Sequence, residues 1–80
     1  MKATVHVFLK PGVLDVQGKA VENALHGLGW TEASNVRVGR VIELDLAGGD
    51  LEAGRAMVET MCRRLLANPV IEGYRLEIAA

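Results

Sequence analysis

The stretch from Asn35 to Leu46 reads NVRVGRVIELDL, and the fold turns on whether it forms one strand or two. Taking Gly39-Arg40 as a tight turn makes a hairpin in which Val38 faces Val41 and Val36 faces Glu43. That pairing puts Val36 and Val38 on one face with Glu43 and Asp45, so the hairpin has no apolar face to bury. Read as one unbroken strand, the stretch places Val36, Val38, Ile42, Leu44 and Leu46 together, and only Arg40 is out of place. A single long strand is therefore predicted, bent at Gly39. At roughly 3.3 Å per residue it would run about 40 Å. A three-stranded monomer can hardly cover that length, so part of it is expected to pair with or pack on another copy.

Upstream, residues 2–10 alternate, with Ala3, Val5, Val7 and Leu9 on one side and Lys2, Thr4, His6, Phe8 and Lys10 on the other. This is a half-buried strand, and Phe8 marks its polar face as incompletely solvated. Pro11-Gly12 breaks it and Asp15 caps a helix. Along that helix Val16, Ala20, Val21, Ala24, Leu25 and Leu28 form an apolar face, and Gly29 suits the left-handed position after it. Downstream, AGGD is a turn and Asp50 caps a second helix. Its predicted buried stripe is Leu51, Val58, Met61, Cys62, Leu65 and Leu66, with Met57 flanking, and Asn68-Pro69 stops it. Arg63 and Arg64 near its C-terminus suit the helix dipole. A last strand points Tyr74, Leu76 and Ile78 inward and Arg75 and Glu77 outward. The predicted fold is α+β: a strand–helix–strand–helix–strand two-layer sandwich of ferredoxin-like flavour, both helices on one face of a small sheet. The long bent second strand serves oligomerisation.

Eighty residues fit one domain, 1–80. Half are hydrophobic yet only three are aromatic, so the core is aliphatic and apolar surface is left over for self-association. A net charge of −1 with no basic stripe argues against nucleic acid. No apolar run spans a bilayer, and MKATVHVFL lacks the features of a signal peptide, so the expectation is a soluble cytoplasmic protein without membrane association. One cysteine, Cys62, permits no internal disulfide.

The segment LKPGVLDVQGKAV, Leu9–Val21, approaches the grammar of a phosphate-binding loop but fails it. Such a loop needs four residues between its glycines and a hydroxyl after the lysine. Here five separate Gly12 from Gly18, Ala20 follows Lys19, and Asp15 puts negative charge where phosphate would sit. His6 and His26 lie on different elements without ligands at metal spacing. His6 reads as a face-lining residue and His26 as a solvated one. Cys62 sits in an apolar stripe and reads as a core hydrophobe. Glu43 and Asp45 share a strand face, where alternating charge is usually solvation rather than an acid–base pair. Arg37 lies on that face too. No catalytic constellation can be assembled.

Four segments, KPGVLDVQGKAVENALHGLG, VRVGRVIEL, MCRRLLANPVIEGY and RLEI, closely resemble the PurS family, the small subunit of phosphoribosylformylglycinamidine synthase. The resemblance covers nearly the whole chain in order, the AGGDLEAG turn excepted. It implies a non-catalytic subunit of the complex that uses ATP and glutamine to convert formylglycinamide ribonucleotide (FGAR) into formylglycinamidine ribonucleotide (FGAM) in purine synthesis. It implies as partners the glutaminase PurQ, the synthetase PurL and further copies of itself, as a dimer or tetramer. No cofactor is implied for this subunit, ATP and magnesium being used by PurL. Candidate interface residues are Phe8, Lys10, Pro11, Gly12, Asp15 and Gly18; Arg37, Gly39 and Arg40; and Asn68, Pro69 and Glu72. Two rival expectations remain. One is a free-standing ACT-like dimeric module that binds a small metabolite. The other is an acylphosphatase-type enzyme, for which KPGVLD lacks the arginine its phosphate loop needs.

Overall fold

A computed structural model describes residues 1–80. The chain runs β1 (Lys2–Leu9), α1 (Val16–Gly27), β2 (Arg40–Asp45), α2 (Leu51–Met61) and β3 (Glu72–Ala79), with α2 continuing into a π-helical turn over Cys62–Leu66. The sheet order is β2-β1-β3, and β1 runs antiparallel to both neighbours. Register sets Val5 opposite Ile42 and Leu76, so the alternation of all three strands converges on one face. On that face Ala3, Val5 and Val7 meet Val58, Cys62 and Ala67, and these six residues are the buried core. Ile42, Leu44, Leu76 and Ile78 pack around it. The α+β class and element order are those predicted. No helix is long and apolar enough to cross a membrane.

Local chemistry explains the helix ends. Asp50 accepts from the N–H groups of Glu52 and Ala53 and so satisfies two of the otherwise unpaired donors that begin α2. Gly29 has φ +105° just past α1, the left-handed stop. Beyond the π-turn, the Asn68 carbonyl accepts from Ile71 and Glu72, and the Asn68 side chain accepts from Val70. That turn delivers the chain into β3.

Three expectations are corrected. The second strand is paired only over Arg40–Asp45; residues 36–39 have no strand beside them. Pairing to β1 stops at Val7, opposite Arg40, and the Val38 and Val36 N–H groups turn instead to side chains at α1. Secondly, α2 alone covers the sheet. No residue of α1 belongs to the core, and Val16, Val21 and Leu28 are exposed. The stripe of α1 is real, but it faces away from its own sheet. The molecule is consequently elongated, 49 × 25 × 14 Å with a radius of gyration of 16.0 Å. A compact chain of this length would have a radius near 12 Å by the usual scaling, about 2.2·N^0.38 Å. Thirdly, Leu65 is not buried. The bond from the Ala67 N–H to the Cys62 carbonyl, 3.0 Å, closes a five-residue step that shifts the helix phase. Ala67 then takes the inward place, and Leu65 is 83% exposed.

Candidate functional site

Most of the residues singled out from sequence meet at one end of the sheet, where β1 leaves and both of its neighbours begin. Lys10-Pro11-Gly12-Val13 is a turn closed by a Val13 N–H to Lys10 carbonyl bond of 3.1 Å, with φ +88° at Gly12. Proline followed by a glycine of positive φ is the type II pattern. The turn delivers Asp15 to the start of α1, where only 5% of it is exposed. One Asp15 oxygen accepts from the Gly18 N–H and the other from the Val38 N–H, both at 2.7 Å. Two helical turns along, Glu22 accepts from the Val36 N–H at 3.2 Å.

Asp15 at the cap of α1 and Glu22 within it thus bind the alternate N–H groups that a neighbouring strand would otherwise bind. The Val36 and Val38 N–H groups are therefore paired although no strand lies beside them. The approach is close: a Cβ on Gly18 would collide with the Val36 carbonyl oxygen, and one on Gly39 would lie 2.5 Å from the Val7 carbonyl oxygen. Glycine at both positions therefore serves backbone contact. The bend expected at Gly39 is the point where the chain crosses onto β1.

The second half of the junction is built on Arg40. Its guanidinium donates to Glu72 at 2.8 Å and to the Leu66 carbonyl at 2.6 Å, joining β2, β3 and the end of the π-turn. Arg40 breaks the apolar parity of the stretch because it bonds across the sheet end to these acceptors. Glu72 also accepts from the Asn68 N–H at 2.7 Å. Lys10 donates through its ammonium to the Pro69 carbonyl at 2.7 Å, and Arg37 donates to the Lys10 carbonyl at 3.2 Å. Phe8 lies on the opposite face of the sheet, over Gly73, at the rim of a cleft of about 400 Å³ also lined by Leu14, Asp15, Arg40 and Glu72.

The electrostatics follow from these bonds. The Val38 and Gly18 N–H groups hold the Asp15 carboxyl below its ordinary range. Val36, then Lys19, does the same for Glu22. Arg40, then Asn68, lowers Glu72. Carboxylates bound this way are fixed acceptors, suited to holding backbone in place. Cys62 is buried in the core, which pushes its thiol up and makes it a poor nucleophile.

Outside the junction, His6 faces Glu77 at 3.6 Å on the uncovered face of the sheet, where Lys2 also pairs with Glu43 at 3.4 Å. His26, expected to be solvated, instead donates from Nε2 to the Ala33 carbonyl at 2.6 Å and closes the loop after α1. No group of three or more His, Cys, Asp or Glu residues is placed to hold a metal ion. Glu22 was missed by sequence reasoning, although its place seven residues after Asp15, on the same helix face, was a signal for it.

The comparison with known proteins is decisive. The family model for PurS, phosphoribosylformylglycinamidine (FGAM) synthase, matches residues 2–80. The chain belongs to the PurS family. It is 46% identical over 77 residues to the FGAM synthase subunit PurS of Bacillus subtilis, spanning 96% of this chain and 90% of the relative. It is 39% identical over 77 residues to the PurS subunit of Methanocaldococcus jannaschii, with 96% and 93% covered. A crystal structure of B. subtilis PurS superposes with a TM-score of 0.87 at 44% identity, over 99% of this chain and 98% of that one. A chain in the structure of PurLQS from Thermotoga maritima superposes with a TM-score of 0.86 at 28% identity, covering 95% and 93%.

Proposed function

We propose that this chain is the small, non-catalytic subunit of FGAM synthase. It joins a PurQ-type glutaminase to a PurL-type synthetase as these convert FGAR to FGAM with glutamine and ATP. The observation that carries this reading is the near full-length match of both sequence and structure to PurS chains, one of them in PurLQS. The geometry suits the role. The junction holds α1 off the sheet as a fixed arm, with its apolar face free for contact. Ammonia released into water at neutral pH is protonated and diluted, losing both its lone pair and its proximity to the acceptor. A subunit that closes the joint between two active sites needs shape and interface rather than nucleophiles.

In this reading, copies of the chain associate through the apolar face of α1 and the open edges of the sheet. The nucleotide and magnesium are held by the synthetase partner. The setting is the cytoplasm, where soluble purine precursors are handled. Reconstitution tests the whole. Mixed with PurQ and PurL, the chain should raise glutamine-dependent FGAM formation strongly and ammonia-dependent formation by PurL much less. Glutamine-dependent activity that is the same without it would refute the reading.

A further inference from the structure

The outer side of α2 carries a second apolar surface, apart from α1 and reaching the junction only at Leu66. Met57, Met61 and Leu65 border a hollow of about 450 Å³ that also takes in Arg64. The π-turn makes this surface. In a regular α-helix Leu65 lies seven residues past Val58, two turns on and pointed at the sheet. The wider turn rotates it outward and leaves it 83% exposed. π-turns of this kind concentrate at functional positions. The helix dipole accounts for a cation at a C-terminus, but it does not account for a leucine turned out into water beside one.

Charge selects the occupant. No carboxylate lines the hollow, and neither Arg63 nor Arg64 forms an ion pair. A second copy docked here about a two-fold axis would set the same arginines against each other. Methionine side chains at the border adapt to a foreign surface. We propose that this surface docks a different subunit of the synthase, one presenting an apolar socket flanked by carboxylates, with Leu65 as the knob and Arg64 as the charged contact. The proposal rests on the reading of the chain as a PurS subunit and adds which face meets a partner of another kind.

The test measures binding of the full chain to purified PurQ and PurL by sedimentation, beside the self-association of the isolated chain. Leu65→Asp and Arg64→Glu alter exposed side chains, so both variants should melt like the parent. Each should weaken assembly with the other subunits at least tenfold and leave self-association within twofold. Added salt should weaken assembly of the parent more than that of Arg64→Glu. Variants that join the complex as tightly as the parent would overturn the proposal while leaving the subunit role intact. A changed self-association would also overturn it, by making the surface a contact between copies. A parent chain that fails to join at all would remove the subunit role and this proposal together.

Discussion

Arg40, the first residue of β2, donates to Glu72, the first residue of β3, at 2.8 Å across the end of β1. The two edge strands never touch along their length, so this pair is a tie between them at the junction. Arg40 also holds the Leu66 carbonyl and Glu72 holds the Asn68 N–H. One ion pair therefore locks two strands and the end of a helix.

Breaking that pair should loosen three elements together. Arg40 is half exposed, so screening reduces its value, and Arg40→Ala is expected to cost about 1 kcal/mol. Chemical denaturation of the variant against the parent measures it. Glu72→Gln should behave alike, and the double variant should cost less than the sum of the two.

Acid should release the junction. The folded-state pKa values of Asp15, Glu22 and Glu72 are lowered from ordinary values of 3.8, 4.5 and 4.5. Groups shifted downward stabilise the fold above their unfolded pKa, and that contribution disappears as pH falls through the folded one. The urea midpoint should thus be flat near neutrality and fall below about pH 4.5. Asp15→Asn should flatten part of that fall. A midpoint constant down to pH 3 would show that the carboxylate bonds are absent.

Glycines should separate by contact. Gly39→Ala puts a Cβ 2.5 Å from a backbone oxygen of β1, a neighbour that cannot rotate away, and should lower the melting temperature by several degrees. A Cβ at Gly27 in α1 meets nothing within 4 Å, and Gly27→Ala should raise stability by about 0.5–1 kcal/mol. Thermal melts of the two variants side by side give opposite signs.

Trp30, the single tryptophan, is 57% exposed just past α1 and reports on that helix's face. Raising the protein concentration should shift its emission to shorter wavelength as association removes it from water. Leu28 is 72% exposed, so Leu28→Lys should leave the fold intact and abolish the shift. Fluorescence and sedimentation read together check both halves of this expectation.

Features decided within a few residues were legible in the sequence. Asp15, Asp50, Gly29 and Asn68-Pro69 mark element ends by local chemistry alone, and each does so in the structure. Arg40 was legible as an anomaly of parity, but its acceptor lies 32 residues away and no pattern connects the two. The long second strand was over-read because alternation records which side chains share a face and says nothing of whether a ladder partner exists. A π-turn resets the helical phase at Cys62, so the regular period misplaces Leu65. The stripe on α1 was read correctly as apolar; periodicity shows that a face wants cover, not which chain provides it.

A plate 14 Å thick has hardly any inside. Nine of eighty residues are buried, which leaves little to hold the lone chain folded. Folding and assembly then become one equilibrium for this protein, and its melting point should climb with its own concentration, and higher again when its partners are present.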